Sequence, residues 1–358
     1  MLEGNIYIYI LPFLISFFIS LVFTRYILKF ALNKKILDDP SSSHRKIHTR
    51  PVPLLGGVSV ILTFVVAVLI GFLSGWFEYG EYINPQIWGL LAGSLIILIF
   101  GYLDDRYNIK PHWQFLGSSL AVLAAILSGI VISYTTNPFT EGTGPYGRGI
   151  LYFSPFLSYI LTFLWIIGVM YVIKLSDGLD GLVAGIGVIG SFILFIVSLF
   201  WNKPLSAVSV LALITCGSLL GVLIYNWHPA RIFLGESSIF IGYILGVLSI
   251  ISGAKIATTL LIIGIPLLDI IVVVIWRLLI ERKNPFTSSD TKHIHFRLLT
   301  LGLTHRQAVL FLYFISALFG ASAIFMQSIQ KVIALIILGI FMIILAVFSI
   351  MSYVKANQ

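Results

Sequence analysis

Four short segments of this chain carry residues that could do chemistry: Asp104-Asp105, Asp177-Gly178-Leu179-Asp180-Gly181, Gly235-Glu236 and His293-Ile294-His295. Adjacent carboxylates can share a divalent cation. Alternatively one binds the ion while the other takes a proton, because like charges so close push one pKa up. Asp104-Asp105 ends an apolar run, and a helix C-terminus carries partial negative charge, so a purely structural role explains the pair poorly. Asp177 and Asp180 are three apart, which on a helix puts both on one face. One of them could cap the helix that follows; a hydrogen-bonding site for a base or sugar is the alternative. Glu236 sits at a helix start and Asn226 offers a neutral oxygen. Magnesium prefers oxygen ligands, so Asp104, Asp105, Glu236 and Asn226 are its candidates.

Two basic stretches accompany the acids. Arg45, Lys46, His48 and Arg50 precede Pro51 to Gly57. They read as a topology signal that touches anionic headgroups, or as an approach to a helix start that attracts anions. The second stretch holds His293, His295, Arg297, His305 and Arg306. It has no HExxH pattern and no cysteine pair, which argues against zinc and for contact with phosphate or sugar. A short interfacial helix is expected over 296–304, its leucines toward lipid.

Membrane spans must position these groups. The chain has 358 residues, 59% hydrophobic and 10% charged, with mean hydropathy +1.04. A soluble domain of this size could not hide so much apolar surface. Apolar runs close to the length needed to cross hydrocarbon fall at about 6–28, 54–73, 87–103, 115–134, 156–173, 182–201, 206–225, 238–252, 256–279, 308–327 and 331–353. Backbone groups in lipid must be satisfied within each segment, so the spans are helices. The expected fold is all-α: a polytopic membrane protein of about eleven helices, one domain over 1–358. The first span reads as a retained helix rather than a cleaved signal.

The eleven spans put every chemical segment on one side, in loops at about 29–53, 104–114, 174–181, 226–237 and 280–307. That side carries 18 of the 22 Lys and Arg; the other has Arg148, Lys203, Lys255 and Lys331. The asymmetry assigns the rich side to the cytoplasm, the N-terminus to the outside and the C-terminus to the cytoplasm. It also argues that the net charge of +8 serves topology and not nucleic acid. Asp269 stands apart inside the ninth span, three residues after Pro266, where an ionisable group is functional by default. It is the main argument for the competing reading, a secondary transporter of an anionic solute. A transporter, however, would spread polar groups through both leaflets, often with repeat symmetry, and no repeat is evident.

The runs RKIHTRPVPLLGG, GYLDDRYNIKP, DGLDGL, YNWHPARIFLGE, GIPLLD and HIHFRLLTLGLTHRQAV, in this order, are similar to those of the polyprenyl-phosphate N-acetylhexosamine-1-phosphate transferase superfamily. The resemblance is to the glycosyltransferase family 4 branch that starts teichoic acid, O-antigen or arabinogalactan synthesis. It covers almost the whole chain. It implies transfer of a sugar 1-phosphate, GlcNAc-1-phosphate foremost, from a UDP-sugar to polyprenyl (undecaprenyl) phosphate at the cytoplasmic face of the cell membrane, with UMP released. It implies magnesium, or manganese in its place, and, by analogy alone, a homodimer.

Carried over position by position, Asp104 and Asp105 match the acidic pair that activates the lipid phosphate and binds metal. Glu236 matches the metal ligand, and His293 and His295 match the histidine motif. Asp177, Gly178, Leu179, Asp180 and Phe233 match the uridine pocket, and Asn226 an active-site asparagine. Arg45, Lys46, His48, Arg50, Lys174 and Arg297 are assigned to substrate phosphates. The chain departs from the pattern in four ways. Glu236 replaces the usual aspartate, Ser238-Ile239 the usual Gly-Ser, Tyr171 and Lys174 the common asparagines, and Phe296 a third histidine. PVPLLGG and HIHF argue against the peptidoglycan branch, which takes UDP-MurNAc-pentapeptide. All of this requires Asp104 and Glu236 to meet at one membrane surface.

Overall fold

The computed structural model describes residues 6–42, 48–77, 84–141, 148–201, 206–252, 256–282, 293–326 and 328–356. Their helices are α1 (Ile6–Asn33), α2 (Gly56–Leu73), α3 (Asn84–Tyr107), α4 (Pro111–Leu127), α5 (Pro155–Leu175), α6 (Leu182–Trp201), α7 (Ala207–Asn226), α8 (Ile239–Ile251), α9 (Ile256–Ile262), α10 (Gly264–Trp276), α11 (Ile294–Thr300), α12 (His305–Phe325) and α13 (Ser328–Ala356). Two small antiparallel pairs join them: β1 (Leu37–Asp38) with β2 (Val52–Pro53), and β3 (Tyr134–Glu141) with β4 (Arg148–Tyr152).

The protein is a polytopic all-α membrane protein. Large apolar side chains such as Phe18 on α1, Leu164 on α5, Phe314 on α12 and Ile340 on α13 are exposed on the outside of the bundle. In water that surface would cost roughly 25 cal/mol per Å²; in hydrocarbon it costs nothing. Small residues let helices close on one another where the hydrophobic effect gives no drive. Gly217 and Gly221 of α7 lie against Ser16 and Ser20 of α1, and the Ser20 hydroxyl donates to the Ser218 carbonyl at 2.6 Å.

Among the described residues, seven helices are long and apolar enough to cross a membrane, or eight if α9 and α10 count as one bent span. The expected eleven is reached only if the shorter apolar helices Pro111–Leu127, Glu236–Ile251 and Ile329–Leu345 also cross. The fourth run, expected to reach residue 134, stops at Leu127. Gly129 there takes φ +91°; its amide donates to Ile126 and that of Ile130 to Ala125, the bonds of a Schellman stop. The ninth run is bent by 74°. Pro266 has no amide proton and its ring crowds the carbonyl four residues back, which ends α9 at Ile262.

The helix expected over 296–304 instead occupies Ile294–Thr300, and α12 starts at His305 behind a Thr304–Gln307 capping box. Leu298 does not face lipid but is buried in the core.

α8 sets the geometry of the site. It is buried from Ile239 to Ile250 and packed against α3, α5, α6, α7 and α9. Its 13 residues span roughly 20 Å at about 1.5 Å per residue, against about 30 Å of hydrocarbon.

Candidate active site

The start of α8 carries Glu236, in a short 3₁₀ turn (Glu236–Ser238) leading into the helix. Asp104 and Asp105 lie in the last turns of α3, one turn inside the helix that ends at Tyr107. The Glu236 amide donates to Asp105 Oδ1 at 2.9 Å. Gly235 makes the approach possible: it adopts φ +69°, and a side chain there would overlap the Asp105 carboxylate. Asp104 and Glu236 therefore meet in one cleft, lined also by Gly101, Gln114, Gly117, Ser118 and Lys174, with Asp105 joined to it through the Glu236 amide. Lys174 forms an ion pair with Glu236 Oε2 and donates to Gln114 Oε1 at 2.8 Å.

Both oxygens of Asp104, and Oδ2 of Asp105, are buried without a hydrogen-bond partner. Buried carboxylate oxygens are costly unless they meet positive charge. Hard carboxylate oxygens without a partner are the donors a magnesium ion takes, so Asp104 and Glu236 in the cleft, with Asp105 beside them, fit that group.

The loop between α5 and α6 forms a second wall. Asp180 Oδ2 accepts from His228 Nδ1 at 2.7 Å and from the Ala230 amide at 3.1 Å. The expected aspartate cap of α6 is replaced by Asn226, whose Oδ1 accepts from the Gly181 amide at 3.0 Å. Its Nδ2 donates to the Ile232 carbonyl at 2.8 Å. Asn226 is thus a strut between two loops. Asp177 is exposed on this loop, with Ser238, Glu236 and Asp180 close enough to act on its carboxylate. Leu179 is buried beneath the loop.

His305 stacks on His228 with ring centroids 3.9 Å apart and planes 13° apart. With Asp180 these histidines form a group whose ligand atoms lie within 4.8 Å of one another. Imidazole lone pairs lie in the ring plane, so two parallel stacked rings do not aim at one ion. The arrangement instead braces Asp180, and Arg306 adds hydrogen bonds of 3.0 and 2.9 Å to the His228 carbonyl.

The histidine motif closes the site over Gly178. A side chain at Gly178 would collide with His295 Nε2, a buried atom with no partner. Burial, then the neighbouring His293 and His305, lower the His295 pKa to about 3, so its ring is neutral at physiological pH. Asp269 holds the motif from beneath: Oδ2 pairs with His293 Nδ1 at 2.8 Å and Oδ1 accepts from the Ile294 amide at 2.7 Å. The broken helix α9–α10 places this carboxylate, which serves the start of α11.

Phe233 lies edge-on to His48, centroids 5.1 Å apart. Its amide donates to Pro53 at 2.8 Å, and its carbonyl and that of Leu234 accept from Gly56 and Gly57, both at 2.8 Å. Those first amides of α2 are therefore committed to the chain itself and not to an anion. Arg50 is exposed and Arg297 partly buried in the last turn of α11. Arg45 and Lys46 lie outside the described residues. Sequence reasoning passed over Gln114, the bond of Ser238 to Asp177 and the contact of His228 with Asp180. Gln114 gives no signal in one sequence; His228 lies within a quoted motif, but its partner is 48 residues away.

Comparison with known proteins sets this cleft in context. Residues 87–253 match the model of glycosyl transferase family 4. The chain is 32% identical over 356 residues to the probable undecaprenyl-phosphate N-acetylglucosaminyl 1-phosphate transferase of Bacillus subtilis (strain 168), covering 98% of this chain and 93% of that one. The chain belongs to glycosyl transferase family 4. Relatives also include the decaprenyl-phosphate N-acetylglucosaminephosphotransferase of Mycobacterium leprae (strain TN), 27% identical over 78% of this chain and 75% of its own. The phospho-N-acetylmuramoyl-pentapeptide-transferase of Oceanobacillus iheyensis is 26% identical over 91% and 98%. The family match contains α8 and the whole acid cleft, while Asp269 and the histidine motif lie beyond it.

Proposed function

We propose that the protein transfers N-acetylglucosamine 1-phosphate from UDP-N-acetylglucosamine to polyprenyl phosphate at the cytoplasmic face of the membrane, releasing UMP. The observation that carries this reading is the meeting of Asp104, Glu236 and Lys174 in one cleft, with Asp105 bonded to the Glu236 amide. Supporting it are the names of the relatives, two of which transfer N-acetylglucosamine phosphate to a prenyl phosphate. The charge asymmetry supports the cytoplasmic face and a topology of eleven crossings with the C-terminus inside.

Asp104, Asp105 and Glu236 would hold magnesium, which supplies charge neutralisation at the diphosphate and the departing UMP. An oxygen of the lipid phosphate attacks the phosphorus bearing the sugar; the bond to the UMP oxygen breaks in line. Asp104 or Asp105 takes the remaining proton of the lipid phosphate or keeps it ionised. Lys174 and the histidine wall stabilise phosphate charge as it redistributes. Asp180, braced by His228, and Phe233 receive the uridine.

The test is purified protein with polyprenyl phosphate, magnesium and a panel of UDP-sugars, reading UMP. Release from UDP-N-acetylglucosamine is expected. Release with another sugar alone corrects the specificity. No release with any sugar overturns the reading and returns the transporter.

A further inference from the structure

We propose that Lys174 is a built-in counter-ion that competes with a divalent cation for the Glu236 carboxylate and turns to the substrate diphosphate when that cation binds. This rests on the transferase reading of the same cleft. Four acidic side chains, Asp104, Asp105, Asp177 and Glu236, act on one another electrostatically at this place. The Lys174 ammonium reaches into the group: it contacts Glu236 Oε2 and its charge acts on both Asp104 and Asp105. The Lys174 and Glu236 side chains are 18% and 35% exposed, so the pair lies in the cleft wall and not in bulk water.

Two features make this cation movable. Lysine is a point charge on a flexible four-carbon stem. Gln114 Oε1, 2.8 Å from Nζ, is a neutral second berth on α4. The ammonium therefore keeps one hydrogen bond when it leaves Glu236 and stays inside the cleft. There it adds a positive charge where the diphosphate must sit. Lys174 and Glu236 are also two of the positions at which the chain departs from the family motifs, and the two departures touch each other. A longer carboxylate and a lysine in contact form one unit, each of use because of the other.

The test measures Mn2+ binding to the detergent-solubilised full chain without substrate, by electron paramagnetic resonance. Lys174→Met removes the competitor and tightens Mn2+ binding about fivefold to tenfold, the latter being about 1.4 kcal/mol. Lys174→Arg keeps the charge and binds Mn2+ like the wild type. Lys174→Met also raises KM for the UDP-sugar. Metal affinity and substrate affinity thus move in opposite directions, which a merely structural lysine would not produce.

Unchanged or weaker Mn2+ binding in Lys174→Met overturns the proposal, as does failure of the wild type to bind Mn2+. Should Lys174→Met not fold, amine acylation of wild-type Lys174, read by mass spectrometry, decides: labelling rises on adding Mn2+, and no rise overturns the competition. Binding without substrate is independent of transfer. Wild type that binds Mn2+ as described but releases no UMP sinks the transferase reading alone. UMP release with unaltered Mn2+ affinity in Lys174→Met sinks this one alone.

Discussion

The amide of Glu236 donates to Asp105 Oδ1 at 2.9 Å, across 131 residues of chain. This bond fixes the start of the buried helix α8 to the end of α3. It is why carboxylates from two distant segments face one cleft. It also gives Asp105 a structural duty that Asp104, with both oxygens unpartnered, does not share.

The two aspartates should therefore respond differently to substitution. Asp104→Asn is expected to lower turnover by about 100-fold or more, as loss of a group acting on transition-state charge does, with little change in melting temperature. Asp105→Ala removes the acceptor for the Glu236 amide as well as the charge; turnover falls similarly and stability falls too. Glu236→Ala resembles Asp104→Asn. UMP release and thermal unfolding in detergent check all three, and wild-type turnover in each would remove these residues from the mechanism.

Gly235→Ala tests the joint itself. The residue sits at φ +69°, and the added methyl meets the Asp105 carboxylate. A strained backbone position costs about 1–3 kcal/mol. The variant should unfold at lower temperature and lose most turnover although no acid has been removed. Normal activity would mean that the fit of α8 against α3 is loose.

Asp269→Ala should act at a distance from the acids. It removes the acceptor for His293 and for the Ile294 amide, and hydrogen bonds to a charged group are worth about 1.5–3 kcal/mol each. We expect strong loss of turnover and protease sensitivity around residues 293–300. Intact turnover with lost solute uptake in vesicles would instead favour the transporter.

The pH dependence of stability follows from His295. Its folded pKa, about 3, lies below its ordinary value of 6.5. Between those values the unfolded chain binds a proton that the folded protein does not, so stability rises with pH there. The contribution is fully present above pH 6.5 and is lost as pH falls toward 3. Melting temperature should drop on going from pH 7 to pH 5, and His295→Gln should flatten that drop. An unchanged slope in the variant would show that His295 is not buried in this way.

Membrane class was legible in the sequence, because the transfer of an apolar run into hydrocarbon is a local property that each segment carries alone. The chemical residues were legible for a related reason: paired acids and glycines at helix ends conflict with purely structural roles. What one sequence could not give was who meets whom. Asp269 looked like an isolated charge in a span, until the 74° break brought it under His293. Asn226 looked like a metal ligand and proved to be a strut for Gly181. The ion pair of Lys174 with Glu236 joins residues of different helices, so no spacing rule announces it. Composition and spacing set which segments enter the membrane and which end in reactive groups. Only helix packing, above all the joint between the start of α8 and the end of α3, decided which of those groups share a cleft.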